Sequence, residues 1–388
     1  RAFFETPKVF KRAVQCDFTR LLGEERFARF VGKMDEGVAK DGDNVDEELE
    51  EVKEAFLSRY GTVLRIFDYY CACSSATNKS AFSISENNFN RFVSDCAIAD
   101  DSTACTASEC SKIFIVCNFE TDKTSAANEV NDDRALMRYE FMECLVRMAV
   151  ARFRHEINDV SECLDRLFDE VILPNIDPSA VLDPDIFRRD KFYFQAVDEA
   201  FKPHAKYLKL VYMKYSLLNP VAGKAKFGLV EWDALIKDCK LISDDLTSRE
   251  MRLAFWWSRM VVIDEVKQRA KFMTLTWVEF LEALGRMAEM MTLPDDDDLR
   301  KVGAINAVDY ERKLELAPSS VKDEINHKHE AEEDDADAPL APRIDRLCKL
   351  LMGRIAVVFK GHISAGPKRL NLVGVYVTEE QLQEISLK

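Results

Sequence analysis

One stretch of this chain is written twice. Residues 135–153 read ALMRYEFMECLVRMAVARF, and residues 272–291 read FMTLTWVEFLEALGRMAEMM. Each copy holds a short run of β-type residues, an aromatic, the pair Glu-Phe, and then a helical segment containing L-x-R-M-A. Parts repeated in a fixed order imply a repeated supersecondary unit, and that constrains the fold more than any composition figure.

The repetition extends outward from these stretches. In the first copy a helix runs over about residues 52–71, with Phe56, Tyr60, Val63, Leu64 and Phe67 on one face. A polar loop follows, then a short extended run at Phe82 and Ile84, then a helix over 86–96. Thr106 with Glu109 three residues later reads as a capping box, which satisfies orphan backbone donors where a helix starts. That helix carries Ile113, Phe114, Val116 and Cys117. A polar loop over 120–133 leads to Leu136 and the closing helix.

The second copy uses the same parts. A helix starts near His204, and the loop NPVAGKAK leads to an extended run at Phe227 and Leu229. The helix WDALIKDCKLI comes next, then a capping box at Thr247 and Glu250, then the helix MRLAFWWSRMVVIDEV. Leu275 and the helix from Glu279 close the unit. The predicted fold is therefore mainly α, with helix–loop–helix units in tandem pairs joined by very short β pairing.

The remaining segments follow from this frame. Residues 1–50 are N-terminal helices and an acidic linker, and 51–153 are the first pair. A helical connector punctuated by Pro174, Pro178 and Pro184 fills 154–196, and 197–292 are the second pair. Residues 293–342 read as an acidic, flexible linker containing Pro318, Pro339 and Pro342. Residues 343–388 read as the opening half of a third copy, or alternatively as a C-terminal helix with an unrelated tail. The chain begins at Arg1 rather than Met and stops inside this unit, so the reading is a fragment of a longer repeat protein.

Charge and residue usage exclude several functions. The formal charge of -15 comes without a compensating basic stripe and argues against a nucleic-acid binder. The acidic runs at 41–51, 295–298 and 330–337 read as solvated faces or linkers. No apolar stretch is long enough to span a bilayer. The chain has eleven cysteines, seven of them between Cys71 and Cys144, without CxxC spacing and without a neighbouring His. They read as reduced, packed thiols, which favours a reducing, cytoplasmic compartment. The five histidines sit in no catalytic motif, and none of the thirteen glycines forms a phosphate loop. Carboxylates fall in solvated runs rather than as isolated pairs in apolar settings. No enzyme is expected, and no cofactor unless calcium.

Two helix–loop–helix units joined through two short β-type runs resemble the calmodulin-like EF-hand superfamily, over residues 51–153 and 197–291. The signature is a hydrophobic residue followed by Glu-Phe at the end of the loop: Leu136 to Glu140–Phe141, and Leu275 to Glu279–Phe280. The resemblance implies that the hydrophobic residues pair the two loops as a miniature antiparallel sheet. It also implies that the Glu is a bidentate calcium ligand at the last loop position. A twelve-residue loop ending at Glu140 places Glu129, Asn131 and Asp133 at ligand positions, with Arg134 where the family needs Gly. Ending at Glu279 gives Gln268, Ala270 and Phe272, which cannot form a cage. The first loops would begin at Thr77 and Ala222, so three of the four loops lack ligands. The alternative role of Glu140 and Glu279 is a helix-start carboxylate facing backbone donors.

All four tryptophans, Trp232, Trp256, Trp257 and Trp277, lie in the second copy beside several methionines. Paired EF-hand units bind partner helices in grooves lined this way, so these residues are the candidate partner-binding set, with core packing as the alternative. The expected function is a noncatalytic protein-binding scaffold gripping helices or filaments. It resembles degenerate EF-hand-like modules of protist ciliary and cytoskeletal proteins. The alternatives are a calcium sensor using Glu129, Asn131, Asp133 and Glu140, and a regulatory segment of a larger enzyme.

Overall fold

The structure, a computed structural model, describes residues 5–35, 45–74, 79–119, 134–218, 226–243, 246–333 and 338–364. It is mainly helical, and the chain divides into two compact units. One comprises Arg1–Asp183 together with Met260–Met273, and the other comprises Pro184–Arg259 together with Thr274–Lys388.

In the first unit, α1 (Pro7–Gly23) starts at Thr6, which is extended and accepts from the Val9 amide, with Pro7 at the first helical position. After α2 (Glu25–Asp35) comes the long α3 (Val45–Ala72). Val52, Phe56, Tyr60, Val63 and Phe67 on α3 are each fully buried, and at about 1.5–3 kcal/mol per large apolar side chain they anchor this unit. Strand β1 (Ile84–Ser85) leads directly into α4 (Glu86–Asp95), which is followed by α5 (Ala107–Asn118). Strand β2 (Ala135–Leu136) leads directly into α6 (Arg138–Phe153), and α7 (Val160–Arg166) runs on into a π-helical turn, Leu167–Ile172. β1 and β2 pair antiparallel, Ile84 opposite Leu136 and Ser85 opposite Ala135. The strands stop at two residues because a helix N-cap stands at each end, Ser85 closing β1 and Met137 following β2.

The second unit opens with a π-helical turn, Arg188–Phe192, after the short helix Pro184–Phe187. Then come α8 (Gln195–Phe201), α9 (Ala205–Ser216), α10 (Leu229–Asp238), α11 (Ser248–Ser258) and α12 (Trp277–Met290). Here the β pairing is a single antiparallel bridge between Gly228 and Thr274, extended by the Leu275 amide donating to Phe227 O at 2.8 Å.

Small devices recur in both units. Tyr70 donates to Asp95 at 3.1 Å, and Tyr215 donates to Asp238 at 2.8 Å. α4 and α10 each end at a cysteine, Cys96 and Cys239, followed by a left-handed residue, Ala97 with φ 51° and Lys240 with φ 50°. The next amides, Ile98 and Leu241, each return 3.0 Å to Val93 O and Ile236 O, so both helices close in the same Schellman-type turn.

The capping boxes differ. At α11, Thr247 and Glu250 exchange both hydrogen bonds. At α5, Thr106 accepts from the Glu109 amide at 3.2 Å, whereas the Glu109 carboxylate pairs with Lys112.

Residues 293–342, expected as a flexible acidic linker, instead carry α13 (Asp296–Val302), α14 (Ala307–Leu316) and α15 (Ser319–Glu333). The acidic run is solvated only in part: Asp296 is exposed, whereas Asp295 and Asp298 are drawn into contacts. Asp295 caps α13 by accepting from the amides of Asp297 and Asp298, and Asp298 is fully buried, paired with Lys328 at 2.8 Å and His329 at 3.0 Å from α15. Acidic residues in a first turn complement the helix dipole, and periodicity could not show that cations about thirty residues later meet them. Burial raises the Asp298 carboxyl, but the hydrogen bonds from His329 and Lys328 outweigh it and hold the group below the usual carboxylate range. α16 (Leu340–Ser364) supplies the helix expected near 343, and the rest of the proposed third copy lies outside the described residues. Among the described residues, no helix is long and apolar enough to cross a membrane.

Candidate functional site

Of the expected calcium ligands, Glu129, Asn131 and Asp133 lie outside the described residues. Glu140 is fully buried at the third position of α6, and its Oε2 accepts from the Met137 amide at 2.7 Å. Glu279 does the same at α12, accepting from Thr276 N at 2.6 Å, while Thr276 Oγ1 accepts from Glu279 N. Both glutamates of the Glu-Phe signature are engaged as helix caps.

The four tryptophans are not brought to one surface. Trp232 is wholly buried among Phe227, Phe255 and Phe280, and its Nε1 donates to Met251 O at 2.9 Å. Trp256 is buried with the Arg259 guanidinium 3.9 Å from its ring centre. Successive helix positions diverge by about 100°, which sends Trp256 inward and leaves its neighbour Trp257 half-buried. Trp277 is half-buried, stacked on Phe280, with Lys209 Nζ 4.6 Å from its ring centre. Trp257 and Trp277 therefore keep accessible surface, and Trp232 and Trp256 serve the core.

The arrangement that the structure builds twice is an arginine clamp on a buried glutamate. On α6, Glu143 and Arg147 pair four residues apart at 2.8 Å; on α12, Glu282 and Arg286 pair at the same spacing at 2.7 Å. Both pairs sit in the repeated stretch. In each unit a second arginine, from elsewhere in the chain, binds the same glutamate. Arg26 of α2 reaches Glu143 at 3.3 Å, and Arg188 of the π-helical turn reaches Glu282 at 3.0 Å.

Each of these outer arginines also closes the end of the third helix. Arg26 donates to Cys117 O at 2.8 Å and to Phe119 O; Arg188 donates to Trp257 O at 3.1 Å and to Arg259 O at 3.3 Å. Phe119 and Arg259 are the C-cap residues of α5 and α11, so the two carbonyls stand at matching places in the two units. The outer element also lends a ring to the inner arginine: Phe30 lies 4.3 Å from Arg147 and Phe187 lies 4.4 Å from Arg286.

The chemistry here is electrostatic. A guanidinium answers a buried carboxylate and at the same time satisfies carbonyls at the negative end of a helix dipole. Burial disfavours charge on Arg26, but Glu143 beside it keeps its proton affinity above the ordinary arginine value. Burial pushes the Glu282 carboxyl up against the opposing pull of Arg286 and Arg188. The clamp fixes α5 against α6 in the first unit and α11 against α12 in the second.

A further acidic group, Glu48, Glu51 and Asp159, offers three carboxylate oxygens within 4.8 Å of one another. Glu48 Oε1 accepts from the amides of Val160 and Ser161, and Asp159 accepts from Glu162 N, so these two groups cap α7. Burial, with Asp159 alongside, pushes the Glu48 carboxyl up to about 6.

Sequence reasoning missed the clamps because Arg26 and Arg188 stand far from the glutamates they bind. The legible trace was Glu-x-x-x-Arg at the same register in both copies, on helices otherwise lined with apolar residues. No family model, no curated protein and no solved structure matches this chain.

Proposed function

We propose that this chain is a noncatalytic protein-binding scaffold whose two units are degenerate EF-hand-like pairs. The observation that carries the reading is the use of Glu140 and Glu279 as helix caps. These are the carboxylates that a calcium loop would turn toward the ion. The antiparallel pairing of Ile84 with Leu136, and of Gly228 with Thr274, supports the EF-hand-like layout. The clamps support a rigid role, since they hold the helices of each unit by buried charge and not by a bound ion.

The partners are helices or filaments. Surface for them is offered by Trp257 and Trp277 in the second unit. In the first unit it is offered by Ile115, Val116 and Phe119, which are 63%, 42% and 64% exposed at the end of α5. A ciliary or cytoskeletal setting is part of the same proposal and rests on the resemblance alone.

Calcium calorimetry on the full chain, with Glu140→Gln as the control, tests the reading. No heat at millimolar calcium and unchanged tryptophan fluorescence are expected. Micromolar binding lost in the control would replace the scaffold with a calcium sensor.

A further inference from the structure

All eleven cysteines are free thiols, and Cys105 Sγ and Cys110 Sγ stand 3.7 Å apart. Cys105 precedes Thr106, the N-cap of α5, and Cys110 lies in the first turns of that helix. Both side chains are buried, while Asp101, Ser102, Ala104, Ala107 and Ser108 beside them in the chain are exposed. The turn before α5 is held locally, by the Asp100 amide donating to Cys105 O at 2.8 Å and by Ser102 bonding Asp100.

The other unit shows what this place needs for packing alone. Thr247 is the N-cap of α11 as Thr106 is of α5. The residues at the two cysteine positions there are Leu246 and Met251, both buried. An apolar pair fills the site without any thiol chemistry. Two thiols in van der Waals contact therefore bring a capacity that the packing does not require.

We propose that Cys105 and Cys110 form a reversible dithiol–disulfide site that reacts with low-molecular-weight disulfides of the glutathione class. The Cys110 thiolate attacks one sulfur of the oxidant, forms a mixed disulfide and releases one thiolate. Cys105 then loses its proton and attacks Cys110 Sγ, releasing the second thiol. Two cysteine thiols are oxidised by two electrons, and one external disulfide is reduced to two thiols. Bond formation closes the sulfurs from 3.7 Å to about 2.05 Å. Contact with the Cys105 thiol lowers the Cys110 thiol and favours it as the attacking group. Arg152 of α6 holds the preceding turn through Ile98 O at 3.0 Å and Asp100 at 3.1 Å, so the bond would lock the start of α5 to a turn already tied to α6.

The test is to incubate the native full chain with oxidised glutathione, block free thiols, and map peptides without reduction. Cleavage after Asp101 and Glu109 separates Cys96, Cys105 and Cys110, so a bond between the last two holds two peptides together. The expected result is that linkage in the native protein, reversed by dithiothreitol. In Cys105→Ser, a glutathione adduct should build up on Cys110 in its place. A double variant, Cys105→Leu with Cys110→Met, copies the other unit and should melt like the reduced wild type. Recovery of Cys105 and Cys110 as free thiols while other cysteines oxidise would overturn the proposal. So would a linkage that forms only in denaturant.

Discussion

The two clamps carry the same circuit at different depths. In the second unit Arg188 is 0% exposed and Arg286 4%, whereas in the first Arg26 is 20% exposed and Arg147 13%. The glutamates at the centre are equally sealed, at 1% each. The second clamp also has more partners: Asp185 pairs with Arg188 at 2.8 Å, and Pro184 O accepts from Arg286 at 2.9 Å. The difference lies in the outer element. A helix, α2, lends Arg26 from the rim. The Arg188–Phe192 π-turn inserts Arg188 and Phe192 into the interior. A cluster cut off from water depends wholly on its internal partners, whereas one at the rim can recover solvation when a partner is lost.

The largest expected effect tests that contrast. Glu282→Gln leaves buried Arg188 with Asp185 alone and takes from buried Arg286 its ion-pair partner, and should cost about 3–5 kcal/mol. Glu143→Gln at the half-open clamp should cost clearly less, about 1–3 kcal/mol. Urea unfolding of both variants measures this, with the transition of each unit resolved. Equal losses would break the comparison by showing that burial of the outer arginine does not set the strength.

A second variant sharpens it. Gly285 in α12 occupies the place of Val146 in α6, and a Cβ there would meet the Phe192 ring at 2.6 Å. Gly285→Val should therefore cost about 1–3 kcal/mol in thermal or urea unfolding, because it pushes the π-turn and its arginine off the glutamate. A neutral result would mean that the turn can back away and that the second clamp is less fixed than its burial suggests.

The smallest effect concerns what the two units share. Ala97 and Lys240 both hold left-handed backbone at the ends of α4 and α10. Replacing each with Gly should stabilise its own unit by about 0.5–1 kcal/mol, and by the same amount in both. A gain at only one site would show that the two helix ends, alike in hydrogen bonding, differ in strain.

Much of the architecture was legible because it is local. Thr247 and Glu250, the alternation at Phe82 and Ile84, and the apolar stripe of Phe56, Tyr60, Val63 and Phe67 all act within a turn or two of themselves. Their periodicity survives in the sequence. The site was much less legible. Trp232 and Trp257 look alike as residues, and only packing decided that one donates to Met251 O inside the core while the other keeps surface. The acidic residues at 295–298 read as solvated because nothing nearby in sequence contradicts that, whereas Lys328 and His329 of α15 engage Asp295 and Asp298 and Asp298 is buried.

By itself, the sequence determined most helices of the two copies, several of their caps and the duplication, since hydrogen bonding within a helix and side-chain periodicity are properties of neighbouring residues. The tertiary structure alone decided where the charges go. Arg26 meets Glu143, Arg188 meets Glu282 and Cys105 meets Cys110 only once the helices have packed. A buried ion needs a partner at about 3 Å whatever their separation along the chain.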